Sequence, residues 1–116
     1  MAESKIETVR SSSSGLIGRS VSGARGVSLV LDSSTHPRDD ALTNSEAFLA
    51  GVSSCGVTLI EMHAREKGVP VKEMHVTIEG VRTPPEPRFA SVSMRFEIMG
   101  VDQAQAEALV ETYKSR

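Results

Sequence analysis

Residues Thr43 to Gly68 form the stretch that most restricts the fold of this chain. From Ala47 to Val52 there is no polar position, and Val57, Leu59 and Ile60 continue the run. Thr43 and Glu46 have the spacing of a capping box, which satisfies orphan amides where a helix starts. Gly68 followed by Pro70 is a stop signal, and Arg65 and Lys67 complement the negative end of the helix dipole. The stretch therefore reads as one helix roughly 35 Å long. Its first half is apolar nearly all round, so burial on every side is expected. Ser53, Ser54 and Thr58 interrupt the run, which makes it too short for a membrane span.

A helix buried on all sides needs cover that 116 residues can hardly supply. The chain has no Trp, one Tyr and three Phe. One sheet and one further helix remain. A second copy of the chain is expected to provide the rest, as an obligate homodimer with a large apolar interface. The alternative is a monomer wrapped tightly around its helix.

The flanking segments alternate. Lys5 to Arg10 and Leu16 to Val21 read as strands around a Ser11–Gly15 turn. A second turn, Ser22 to Gly26, leads to a third strand at Val27, Leu29 and Leu31. A polar loop from Ser33 to Leu42 delivers the chain to the helix. Beyond Pro70, Val71 to Arg82 alternates, with Met74, Val76 and Ile78 on one face. Thr83 to Pro87 cannot lie inside a sheet, because proline lacks the donor. Arg88 to Met99 alternates again, with Ala90, Val92, Met94, Phe96 and Ile98 together. Asp102 with Gln105 repeats the capping-box pattern, and Ala106, Leu109, Val110 and Tyr113 line one helix face. The order β-β-β-α-β-β-α predicts a single α+β domain over residues 1–116, an antiparallel sheet with a long buried central helix. The sequence stops inside a helical pattern at Lys114-Ser115-Arg116, so the natural chain is expected to continue.

The net charge is −2, with acids and bases interspersed, and no basic footprint for nucleic acid is present. One cysteine excludes an internal disulfide framework and fits a reducing cytoplasm. Met1 to Lys5 leads into no apolar segment, so no secretory signal is expected.

Chemistry centres on Cys55, about three turns into the central helix. Free cysteine is among the most buried residue types and is inert in apolar surroundings, so a structural Cys55 is a serious reading. To act as a nucleophile, the sulfur needs a cation nearby. Arg25, in a turn of small residues, is the best source, and an ordinary exposed loop arginine is its bland reading. Arg19, in strand alternation, is a weaker competitor. Glu46 already serves the cap, and it could also orient an arginine over Cys55. Being nine residues from Cys55, it does not share one helix face with it, so other elements or a second subunit must close a joint site. His36 lies in a loop and His75 on the polar face of its strand. His63 lies roughly 80° around the helix and about 12 Å along it from Cys55, so it makes neither a Cys-His dyad nor a zinc pair. No metal-ligand spacing, phosphate loop, dinucleotide fingerprint or nucleophile elbow occurs, so neither cofactor nor metal is expected.

The run from Thr43 to Cys55 resembles the central helix of the OsmC/Ohr family, osmotically inducible and organic hydroperoxide resistance proteins. Gly68-Val69-Pro70-Val71, Val76-Thr77-Ile78-Glu79-Gly80 and Gly100-Val101 are similar to the segments C-terminal to that helix in the family. The resemblance covers roughly residues 15 to 116. It implies an intertwined homodimer with two central helices packed between two sheets and a site at the subunit interface. It also implies thiol-dependent reduction of organic hydroperoxides. Cys55 matches the peroxidatic cysteine, Glu46 the glutamate at the helix start, and Arg25 the arginine of the N-terminal hairpin. The family's resolving cysteine has no counterpart in this sequence, and the Glu-to-Cys spacing is one shorter than in its best-known peroxidases. The resemblance thus implies a small hydrophobic hydroperoxide and an external thiol as partners, without nucleic acid or membrane. A non-catalytic dimeric binding or structural protein with the same fold is the alternative, and a cysteine hydrolase ranks last.

Overall fold

A computed structural model describes residues 4–85 and 88–114. Glu86 and Pro87 of the proline-rich connection lie outside the described residues, as do Met1 to Glu3 and the final Ser115 and Arg116. The chain forms two compact units, Met1–Phe48 and Leu49–Arg116.

The first unit is a four-stranded sheet in sequence order. Strands β1 (Arg10–Ser13), β2 (Arg19–Ala24) and β3 (Val27–Asp32) are antiparallel, and the two-residue β4 (Leu42–Thr43) runs parallel to β3. The sheet is therefore mixed, where a purely antiparallel one is expected from the sequence. The difference arises because the 33–41 loop returns the chain to the side of Leu31 and Asp32, travelling in the same direction as β3, before the helix begins.

The first two strands are shifted from their sequence positions. The serine run, read as a turn, is itself β1, stitched to β2 by a 2.7 Å Ser11–Ser22 hydroxyl contact. The turn falls later, where the Ser14 hydroxyl accepts from the Leu16 amide at 3.1 Å and Gly15 and Gly18 take positive φ. At the far end, Arg25 (φ 53°) and Gly26 (φ 81°) make a two-residue hairpin turn between paired Ala24 and Val27. Two successive positive φ angles match the right-handed twist of the flanking strands.

Helix α1 (Asn44–Lys67) follows β4 directly. Its start has the expected reciprocal cap. The Thr43 amide donates to Glu46 Oε1 at 2.9 Å, and the Glu46 amide donates to Thr43 Oγ1 at 3.2 Å. Its end comes at Gly68, whose φ of 68° is the left-handed stop.

The second unit holds most of α1, the hairpin of β5 (Glu73–Val81) and β6 (Ser91–Met99), and α2 (Gln103–Lys114). Both strands show the expected alternation, with Met74, Val76, Ile78, Met94, Phe96 and Ile98 turned inward. Asp102 and Gln105 cap α2 reciprocally at 2.8 and 3.1 Å. Ile60, Ala64 and Leu109 form the buried core, and Phe96, Ile98, Met74 and Tyr113 pack against it.

Contrary to the expectation that its apolar run is too short, α1 is long and apolar enough to cross a membrane by length and composition alone, while its Gly56–Ile60–Ala64 line is buried in the second unit. The all-round burial expected for α1 does not occur within this chain. Only Gly56, Ile60 and Ala64 are buried, while Phe48 is 60% and Met62 63% exposed.

Candidate functional site

Helical periodicity decides what surrounds Cys55. Val52, Gly56, Leu59 and Ile60 turn toward the rest of the second unit. At Gly56 the neighbours are Phe96, Met94 and Tyr113, whose atoms lie 3.4–3.5 Å from where a Cβ would stand. The Tyr113 hydroxyl donates to the Val52 carbonyl at 3.4 Å, which ties α2 to α1 one turn before the cysteine. Gly51, Cys55, Thr58 and Met62 recur at three- and four-residue spacing on the other side, and all are exposed. The thiol thus stands in the middle of an uncovered helix face.

The polar neighbour on that face, Thr58, is turned to the helix backbone: its Oγ1 donates to the Cys55 carbonyl at 3.3 Å. Within its own unit no described side chain hydrogen-bonds the Cys55 sulfur. A cleft of about 570 Å³ in the same unit runs between β6 and α2, lined by Phe96, Ile98, Ala106 and Val110 among others, and does not include Cys55.

Arg25 and Glu46 both belong to the first unit. Arg25 sits exposed at the β2–β3 turn, its backbone in the left-handed region. Glu46 lies in the first turn of α1 with one carboxylate oxygen held by the Thr43 amide. Among the described residues no hydrogen bond or ion pair joins Arg25 to Glu46. Within the second unit the helix face carrying Cys55 is open.

Arg19, the weaker sequence candidate, lies in a charged cluster that the sequence did not disclose. It pairs with Asp32 at 2.7 Å and Asp40 at 2.5 Å, and Arg38 joins Asp32 at 3.1 Å. Asp32 is 0% exposed. The Arg19 hydrogen bond holds its carboxyl below the ordinary range, against the opposing effect of burial, with Arg38 assisting. Asp40 is held low chiefly by the same guanidinium, and Arg19 is raised by Asp32 first and Asp40 second. The available signal was an acid placed directly after the apolar run Leu29–Leu31. Among the described residues no three His, Cys, Asp or Glu side chains are grouped to hold a metal.

Comparison with known proteins agrees with this architecture. The chain is similar to an OsmC-like protein of Mycoplasma pneumoniae, with a TM-score of 0.86 at 12% identity over 98% of this chain and 84% of that one. An organic hydroperoxide resistance protein OsmC of Legionella pneumophila matches at 0.71 and 21% identity, over 98% and 85%. One from Elizabethkingia anophelis matches at 0.75 and 15%, over 99% and 85%. At such identities the likeness is one of fold. No curated protein matches by sequence. The family profile described as "OsmC-like protein" matches residues 37–116, more than half of the chain and all of α1, β5 and β6. The chain belongs to the OsmC family.

Proposed function

We propose that this protein is a thiol-dependent peroxidase that reduces small hydrophobic organic hydroperoxides, with Cys55 as the attacking group. The observation that carries the reading is the placement of the chain's single thiol. It stands solvent-accessible at mid-helix, on a face flanked by Phe48 and Met62, in a chain of the OsmC family. A structural cysteine of that fold would be turned inward, where Gly56 and Ile60 are. Two of the similar structures are organic hydroperoxide resistance proteins.

In the proposed step the thiolate attacks one oxygen of the hydroperoxide. An S–O bond forms as the O–O bond breaks, and the departing alkoxide takes a proton and leaves as alcohol. Cys55 is left as sulfenic acid. With no second cysteine in the sequence, an external thiol condenses with it and releases water. A second external thiol then returns Cys55 to the reduced state and leaves as a disulfide. Arg25, steered by Glu46, is the proposed stabiliser of the thiolate.

A homodimer belongs to the same reading, with each chain one OsmC-like domain in the cytoplasm. Val21, Val27, Leu29 and Val30 of the first sheet are uncovered, as are Phe48 and Met62 of α1. Val21 and Val30 lie on one face of that sheet and Val27 and Leu29 on the other, and exposed large apolar side chains such as these are what contacts between copies would bury.

A second reading has support of its own. Arg25 is exposed and Glu46 is engaged in the cap, as a non-catalytic dimeric binding or structural protein would have them. Alkylation of Cys55 across pH separates the two. The peroxidase reading expects a midpoint well below about 8.5, stoichiometric consumption of cumene hydroperoxide, and loss of both in Cys55→Ser. A midpoint at or above that value, with no hydroperoxide consumed, defeats it.

A further inference from the structure

Asp32 occupies a pivotal register position. Across β2 its neighbour is Arg19, and across β4 its neighbour is Thr43, the cap of α1. Arg19 donates to it twice, from Nε to Oδ1 at 2.7 Å and from Nη2 to Oδ2 at 3.0 Å. The remaining edge of that guanidinium serves Asp40, through Nη1 at 3.1 Å and Nη2 at 2.5 Å. Arg38 adds Nη1 to Asp32 Oδ1 at 3.1 Å, and its Nη2 reaches the Ile17 carbonyl at 3.3 Å. The loop between β3 and β4 is thereby fastened at two points of opposite sign, a cation on Asp32 and an anion on Arg19.

We propose that Asp32, Arg19, Arg38 and Asp40 form a clasp that positions Glu46. The clasp fixes the loop and β4, β4 fixes Thr43, and Thr43 holds Glu46 through both bonds of the cap. A second tie, the 2.7 Å contact between Ser34 and Ser45 hydroxyls, acts in the same direction. Two arginines from different elements on one buried carboxylate give a rigid anchor. Loss of Asp32 takes the shared carboxylate from both arginines. A longer consequence concerns the thiol. Both donor edges of Arg19 are committed to carboxylates, so Arg19 is a positioning residue and not a spare cation for Cys55. The importance of Glu46 rests on the peroxidase reading, whereas the clasp lies wholly within the first unit.

Hydrogen exchange of the full chain tests the clasp without reference to activity. The variants are Asp40→Asn, whose side chain is 71% exposed, Arg38→Lys and Asp32→Asn. Asp40→Asn is expected to speed exchange of the 33–43 amides and of the Glu46 amide about tenfold, with β5 and β6 unchanged. Asp32→Asn is expected to do so more strongly, and Arg38→Lys less, since the charge is kept. Should Asp32→Asn fail to fold, the other two carry the test. Unchanged protection at residues 33–46 overturns the proposal. So does a uniform rise that includes β5 and β6, which marks general destabilisation. A clasp that behaves as expected in a chain that consumes no hydroperoxide upholds the positioning and removes only the peroxidase reading.

Discussion

Arg25 holds a backbone conformation that glycine occupies at less cost, since a left-handed φ crowds the Cβ of an L-residue by roughly 1–2 kcal/mol. Arg25→Gly is therefore expected to stabilise the chain by about 1 kcal/mol, read as a higher urea midpoint at unchanged slope. If the guanidinium serves the thiol, the same variant raises the alkylation midpoint of Cys55 toward about 8.5, so stability and reactivity move in opposite directions. Asp32 gives a pH prediction. Its carboxyl is held below the ordinary value by Arg19, so the stabilisation is present above about pH 4 and is lost as pH falls through the depressed native value. Asp40 and Arg38 share this environment. Urea midpoints of the wild type should fall with acidification in that range, and those of Asp32→Asn should fall less. Neither residue could be weighed fully from sequence. Arg25 was legible as a turn residue, but its φ depends on where β2 ends. Asp32 looked like one polar position in an alternating strand, because its partners lie 13 and 6 residues away.

Elements with local signatures were legible, and elements made by distant pairing were not. Both helices begin at their capping boxes, and α1 ends at its glycine, since these signals act within a turn of the chain. Thr43→Ala is expected to cost about 1 kcal/mol by chemical denaturation. The hairpin β5–β6 was equally clear, because its period-two pattern has one face packed on α1 and α2. Strand β1 was missed because four exposed residues, three of them serines, carry no burial pattern. They are strand only by pairing with β2. Strand β4 was missed because two residues show no period at all. Gly100 shows how tightly the second unit closes. Its φ is 94°, and an added Cβ would lie 2.5 Å from the Pro70 carbonyl oxygen and 2.9 Å from the Lys72 amide. Gly100→Ala is expected to destabilise by at least about 1–3 kcal/mol, seen as a lower thermal midpoint. Gly51→Ala meets nothing within 4 Å and should gain helix propensity.

At the scale of the whole molecule, the unanswered surface is apolar. A helix that reads as buried all round has one open face, and the first sheet leaves valines and a leucine uncovered. The sequence predicted that deficit from the apolar run and the scarcity of aromatics. It could not show which side of the helix would be left open, because that depends on how β6 and α2 take the Gly56 side. If a second copy supplies the cover, Met62→Glu should lower the sedimentation coefficient toward that of a single chain, and Gly51→Trp should do the same by bulk. Wild type that sediments as a single chain at micromolar concentration removes the dimer. Because the chain carries one sulfhydryl, and that one is accessible, it also offers a built-in attachment point. A nitroxide placed there reports one coordinate per polypeptide, so dipolar coupling between labels would appear only in a paired species and would measure the span between the two helix midpoints directly.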